Sequence, residues 1–285
     1  MTQPLPDYMP ALITPFTRAG DIDLEAHEHN LAVLSEQGMK GFVIGGSNGQ
    51  GPYLEPGDRE QLISAGRRRK THLMCGIAAE STRMALAQIA EAEEAGADSV
   101  LVLTPTTMAR DRDEAELGFY RDLADHAGVP VFLYSVPPVT RYSMPIELVE
   151  RLARHENIHG MKDSSGDVVR LQTIVESTPE SFLLYSGASR ALAAAIAVGC
   201  HGAITGSGNY LPALVLDTLA AAKEGAAKAR PLQKGLSRIS AEVEAQGIPG
   251  VHAAARAAGL DPGYPRLPLT RLSRGAETSI ARLIT

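Results

Sequence analysis

From residue 8 to about residue 225, short apolar runs alternate with longer stretches whose apolar positions recur at helical spacing. The apolar runs fall at 9–14, 41–45, 73–77, 99–104, 129–134, 158–162, 182–185 and 202–205. They are apolar throughout rather than at every second position. That is how strands read when both faces are buried, as in a parallel sheet covered by helices; a strand with one wet face would alternate. Helices are predicted between them, near 24–37, 56–70, 81–95, 111–127, 144–155, 167–178, 188–198 and 211–225.

Local signals support these boundaries. Pro56 suits a first helical turn, where its missing N–H costs nothing. Ser81 suits an N-cap, followed by Met84, Leu86, Ile89 and Ala90 at roughly helical spacing. Gly38, Gly96, Gly128 and Gly199 each follow a periodic stretch, where a left-handed residue is needed to end a helix. Eight such units in about 215 residues match a (β/α)₈ TIM barrel, typically ~250 residues long, and their regular spacing favours closure over an open doubly wound sheet. The expected organisation is an α/β barrel over 1–225 and a C-terminal helical extension over 226–285, packed on the barrel. That extension is helix-like near 226–245 and 250–259 and then richer in proline.

Composition changes this picture little. A formal net charge of -6, with 44% hydrophobic and 21% charged residues, gives no reason to expect nucleic acid or an anionic membrane as partner. No apolar run reaches the ~18 residues of a membrane span. The N-terminus lacks the basic start and apolar stretch of a secretory leader. Cys75 and Cys200 sit in apolar runs without a CxxC motif, which predicts reduced, buried thiols and a cytoplasmic location. The histidines show no metal-ligand spacing, so no metal is expected.

The candidate chemistry lies at the strand ends, which converge on one mouth of a barrel. Reading them gives Thr14, the loop Gly45-Gly46-Ser47-Asn48-Gly49, Thr104, Tyr134, Lys162, Gly187 and Thr205-Gly206. Lys162 ends a buried run. Removal from water disfavours an ammonium ion, and a neutral amine attacks carbonyls to form a Schiff base. The competing reading is an ion pair with Asp163 or Asp167, although adjacent strand residues face opposite ways. Tyr134 ends the preceding strand, where a phenol beside the amine could carry protons. The glycine-rich loop offers backbone N–H groups to an anion, or is simply a tight turn.

The motifs Ile13-Thr14-Pro15-Phe16, Gly45 to Gly49, Thr104-Pro105, Tyr134-Ser135-Val136-Pro137 and Gly160-Met161-Lys162-Asp163-Ser164 resemble one family. It is the family of pyruvate-type Schiff-base aldolases and lyases that includes dihydrodipicolinate synthase and N-acetylneuraminate lyase. The resemblance implies that Lys162 forms the imine, Tyr134 is the general acid/base, and Ser47 and Asn48 grip the carboxylate of a 2-oxo acid such as pyruvate, Asn48 also joining the proton relay. Gly187 and Ile204 would line the bound pyruvyl group. It implies no cofactor beyond the covalent lysine imine, and a homotetramer or homodimer.

Among family members, the motifs together with Gly247-Ile248-Pro249-Gly250 most resemble 4-hydroxy-2-oxoglutarate aldolase, which releases pyruvate and glyoxylate. The alternatives are dihydrodipicolinate synthase, a sugar-acid aldolase or dehydratase, and a catalytically impaired barrel that binds a 2-oxo acid. Three departures bear on the choice. Val139 stands where the synthases carry an arginine for the aldehyde's carboxylate, which leaves Arg141 to reach in. Thr106-Thr107-Met108 lacks the second relay tyrosine, for which Thr107 would substitute through water. Gln50 replaces the usual glutamate after the glycine loop.

Overall fold

Eight strands form the centre of the protein: β1 (Tyr8–Pro10), β2 (Gly41–Ile44), β3 (His72–Ile77), β4 (Ser99–Leu103), β5 (Val131–Ser135), β6 (Ile158–Asp163), β7 (Leu183–Ser186) and β8 (Gly202–Thr205). The structure is a computed structural model that describes residues 5–285; residues 1–4, part of the segment read for a leader, lie outside the described residues. All the pairings are parallel, in the order β1-β8-β7-β6-β5-β4-β3-β2. The ring closes where Ala11 bridges to Val43 and the Leu12 N–H donates to the Val43 carbonyl at 2.9 Å. Helices wrap the outside, making a (β/α)₈ barrel with further helices at the C-terminus.

Strand alternation sorts the side chains into two cores. Met9, Val43, Leu101, Phe132, Tyr185 and Ile204 point inward and fill the barrel. Their sequence neighbours, such as Phe42, Ile44, Leu133, Met161 and Ala203, pack outward beneath the helices. The same alternation turns Tyr134 and Lys162 inward at matched register and sends Asp163 outward. Gly160, one inward step below Lys162, has no room for a side chain: a Cβ there would lie 2.7 Å from the Phe132 ring and 2.1 Å from the Leu183 carbonyl.

Some predicted elements differ. The first strand is shorter than 9–14, because the Ile13 N–H leaves the ladder and donates to Asn209 Oδ1 at 3.1 Å. The helix expected over 188–198 starts as a 3₁₀ turn, Ser189–Ala191, and continues as Leu192–Ala197. A helix absent from the prediction, Arg274–Ile284, begins at Ser273, whose hydroxyl accepts from the Ala276 N–H.

The C-terminal helices Ala226–Glu244, Gly247–Ala257 and Arg274–Ile284 are fastened by side-chain amides acting as backbone mimics. Asn30 Nδ2 donates to the Asp261 carbonyl at 2.6 Å, and the Asp261 N–H returns to Asn30 Oδ1 at 2.8 Å. Arg266 reaches the Tyr53 carbonyl at 2.7 Å and Asp58 Oδ2 at 2.5 Å while its guanidinium lies 4.3 Å from the Phe16 ring centre. This pairing is shielded from water, so its removal is more damaging than loss of an exposed pair.

Candidate active site

Lys162 is buried, with 3% of its surface exposed. Among the described residues no carboxylate forms an ion pair with it. Both carboxylates that could have held it are engaged elsewhere. Asp163 Oδ2 accepts from Arg170 Nε at 2.9 Å on the outer face. Asp167 caps the helix Val168–Ser177 through the Val169 and Arg170 N–H groups. The amine instead lies 4.4 Å from the centre of the Tyr134 ring. A buried lysine without a counter-ion is costly as structure and useful as a nucleophile.

Tyr134 faces Lys162 across the β5–β6 pairing, and its hydroxyl lies 3.1 Å from Ser47 Oγ. The backbone of Tyr134 is held too: its carbonyl accepts from the Thr104 hydroxyl at 3.0 Å. Ser47 comes from the glycine loop, whose path depends on close backbone contacts. Gly45 has φ of 69°, and a Cβ on Gly51 would meet the Gly45 carbonyl at 2.0 Å. Asn48 sits against Gly206, where a Cβ would lie 2.8 Å from the amide nitrogen. Sequence-distant loops are thereby locked together beside the amine.

These groups open into one cavity of about 790 Å³, lined by Ser47, Asn48, Tyr134, Lys162, Gly187 and Ile204 among others. Val139 also lines it. Two expected residues do not. Thr107 is exposed, on a loop held outside by its own N–H donating to Glu80 Oε2 at 2.9 Å. It is not placed to relay protons to Tyr134 within this chain. Arg141 is exposed and ends the helical turn Pro137–Thr140 with φ of 56°, so the turn carries Val139 to the cavity and Arg141 away from it.

The sequence reading missed Ser189, Arg190 and Glu244, which also line the cavity. Arg190 and Ser189 were absorbed into a predicted helix, and Glu244 into an extension read only as packing; no local spacing marks them. Glu244 Oε1 accepts from the Ser189 hydroxyl at 2.6 Å. Crowding by the surrounding protein raises the Glu244 carboxyl above its ordinary range, opposed by that hydrogen bond and by the charge of Arg190. The cysteines are buried and unpaired, and burial pushes both thiols up to about 12, which leaves them inert. Among the described residues no group of three or more histidine, cysteine or acidic side chains is placed to hold a metal ion, and no helix is long and apolar enough to cross a membrane.

Comparison with known proteins gives the site its context. The dihydrodipicolinate synthetase family matches residues 5–285. The 4-hydroxy-tetrahydrodipicolinate synthase of Methanosarcina mazei is 32% identical over 278 residues, covering 96% of this chain and 95% of that protein. The dihydrodipicolinate synthase structure from Bacillus anthracis superposes with a TM-score of 0.91 at 26% identity, covering 97% of this chain and 96% of the other. YagE, an Escherichia coli K12 prophage protein solved in complex with pyruvate, gives a TM-score of 0.90 over 97% of this chain and 96% of its own, with 23% identity, which shows the shared fold. None of these singles out 4-hydroxy-2-oxoglutarate aldolase. The chain belongs to the dihydrodipicolinate synthetase family and shares its (β/α)₈ fold.

Proposed function

We propose that the protein condenses pyruvate with an amino-acid aldehyde, the reaction for which its curated relatives are named. The product named for them, 4-hydroxy-tetrahydrodipicolinate, is a seven-carbon ring compound with two carboxylates and one nitrogen. Subtracting the three carbons of pyruvate leaves a four-carbon aldehyde bearing an amine and a carboxylate, aspartate semialdehyde. The observation that carries the reading is the buried, unpaired Lys162 amine beside the Tyr134 ring.

In this scheme Lys162 Nζ adds to the keto carbon of pyruvate and water leaves as the imine forms. The iminium draws electrons from the methyl carbon, which loses a proton to give an enamine. That carbon bonds to the aldehyde carbon, and the aldehyde oxygen takes up a proton. Tyr134, hydrogen-bonded to Ser47, is the group in reach to carry these protons. The amine of the second substrate then attacks the imine carbon, closing the ring and releasing the Lys162 amine. Ser47 and Asn48 are assigned to the pyruvate carboxylate, with Gly187 and Ile204 leaving space for the rest of the pyruvyl group.

A second reading, cleavage of a 4-hydroxy-2-oxo acid such as 4-hydroxy-2-oxoglutarate, is favoured by Val139, which puts an apolar side chain where a synthase would offer a guanidinium. One experiment tests both. Pyruvate plus borohydride should leave a reduced adduct on Lys162, located by peptide mapping, and Lys162→Ala should abolish it. Condensation of aspartate semialdehyde and release of pyruvate from 4-hydroxy-2-oxoglutarate are then compared. An unmodified Lys162 would sink the imine mechanism.

A further inference from the structure

Arg190 and Glu244 bring opposite charges to the same cavity without neutralising each other. Arg190 lies in the turn Ser189–Ala191 just after β7, and Glu244 is the last residue of the helix Ala226–Glu244, contributed by the C-terminal extension. Both are open to solvent, and both line the cavity that holds Lys162. Among the described residues lining it, Lys162, Arg190 and Glu244 are the only charged ones. Neither member of the Arg190–Glu244 couple takes part in an ion pair within 4.0 Å among the described residues. Glu244 is nonetheless tethered: Ser189, one residue before Arg190, donates its hydroxyl at 2.6 Å. The carboxylate is fixed through one oxygen to the residue that precedes Arg190 in the chain, with its second oxygen left over.

Ala188, Ala241, Ala245, Ile248 and Leu269 line the same cavity and are small or apolar. Two unpaired opposite charges in such a cavity match a ligand that carries both signs. A tail with two carboxylates would be repelled by Glu244, and an uncharged hydroxylated tail would leave Arg190 without use. A carboxylate and an ammonium on one carbon satisfy both, the guanidinium fork suiting a carboxylate in particular. The arrangement also supplies a cation for the second substrate in a chain that has Val139 on the cavity and Arg141 outside it.

We infer that Arg190 and Glu244 form the subsite for the second substrate, Arg190 taking its carboxylate and Glu244 its ammonium, and so select an aldehyde with a free α-amino-acid end. This rests on the imine reading at Lys162, and it assigns specificity to a residue of the C-terminal extension. The subsite orients the acceptor and leaves pyruvate to the Lys162 end.

The test is steady-state condensation of pyruvate with aspartate semialdehyde, glyoxylate or glyceraldehyde by the full chain, Arg190→Ala and Glu244→Gln. Each variant should raise KM for aspartate semialdehyde about tenfold or more, the loss of one charge-assisted contact, and erase its advantage over the other two aldehydes. Gln keeps one oxygen for the Ser189 hydroxyl, removes the charge and can still hydrogen-bond a hydroxyl, so a hydroxylated substrate would tolerate it. Glu244→Gln acting on aspartate semialdehyde as well as the parent, or a parent that prefers glyceraldehyde or glyoxylate or uses none of the three, overturns the subsite. Arg190 is exposed, so Arg190→Ala decides the matter even if Glu244→Gln fails to fold. Borohydride trapping with pyruvate alone separates the two failures: a parent that is not trapped defeats the imine reading itself, whereas a trapped parent with unshifted variants defeats only the subsite.

Discussion

Gln50 and Arg266 hold each other by two hydrogen bonds: Gln50 Nε2 donates to the Arg266 carbonyl at 3.0 Å, and the Arg266 N–H donates to Gln50 Oε1 at 3.0 Å. The pair closes the glycine loop against the C-terminal segment, and Gln50 is buried in a left-handed conformation with φ of 54°. An amide alone offers the donor and the acceptor that this contact needs. Gln50 is therefore matched to its partner, and is more than a glutamate that has lost its charge.

Gln50→Glu leaves the Arg266 carbonyl facing a carboxylate with nothing to donate. It should lower stability by about 1–3 kcal/mol, the cost of an unmet buried polar group. A shift of the urea midpoint at constant slope is the measurement; an unchanged midpoint would refute the role given to the amide.

Tyr134→Phe removes the hydroxyl that meets Ser47 Oγ at 3.1 Å while keeping the ring beside Lys162. Turnover should fall by about 10²–10⁴, the usual worth of a positioned proton carrier. Deuterium uptake into the pyruvate methyl group, followed by NMR, should slow in parallel. Ser47→Ala should slow exchange less, since the phenol remains. Exchange at the parent rate in Tyr134→Phe would remove Tyr134 from the mechanism.

Gly187→Ala places a Cβ 1.9 Å from the Ser164 hydroxyl oxygen, closer than any non-bonded contact. Ser164 must move, and it lines the cavity directly after the lysine strand. The variant should lose both thermal stability and activity, with the activity loss persisting well below its melting temperature. Full activity at low temperature would show that the wall can yield.

Glu116 supplies a pH signature away from the cavity. Burial raises its carboxyl from 4.5 to about 7, opposed by the Tyr142 hydroxyl, which donates to it at 2.9 Å, and reinforced by Asp113 and Asp111. Between about 4.5 and about 7 the folded state keeps a proton that the unfolded chain has released. This contribution to stability is therefore complete below the lower value and is lost as pH rises through the upper one. The total is up to about 3 kcal/mol. Glu116→Gln should flatten that fall, so that its urea midpoint exceeds the parent's at pH 8 more than at pH 5. Parallel pH curves would contradict it.

The barrel was legible in the sequence because its strands are buried on both faces and its helices on one, a pattern local to each element. Asp163 could be set aside as the partner of Lys162 from strand alternation alone, and the outward Asp163–Arg170 pair agrees. Boundaries were harder. The early end of β1 depends on Asn209, and the turn Pro137–Thr140 decides which of Val139 and Arg141 meets the cavity. Neither has a signature within a few residues.

The alternation of apolar runs and helical stretches by itself determined a parallel barrel, and strand parity turned Tyr134 and Lys162 to the same interior. Those are consequences of covalent geometry and burial, acting over a few residues at a time. Tertiary structure alone decided that Thr107 and Arg141 stay outside and that Gln50 fastens the C-terminal segment. It also brought Glu244 from the extension into the cavity that Arg190 lines. Such encounters join positions far apart in the chain, and only the closed fold sets the distances between them.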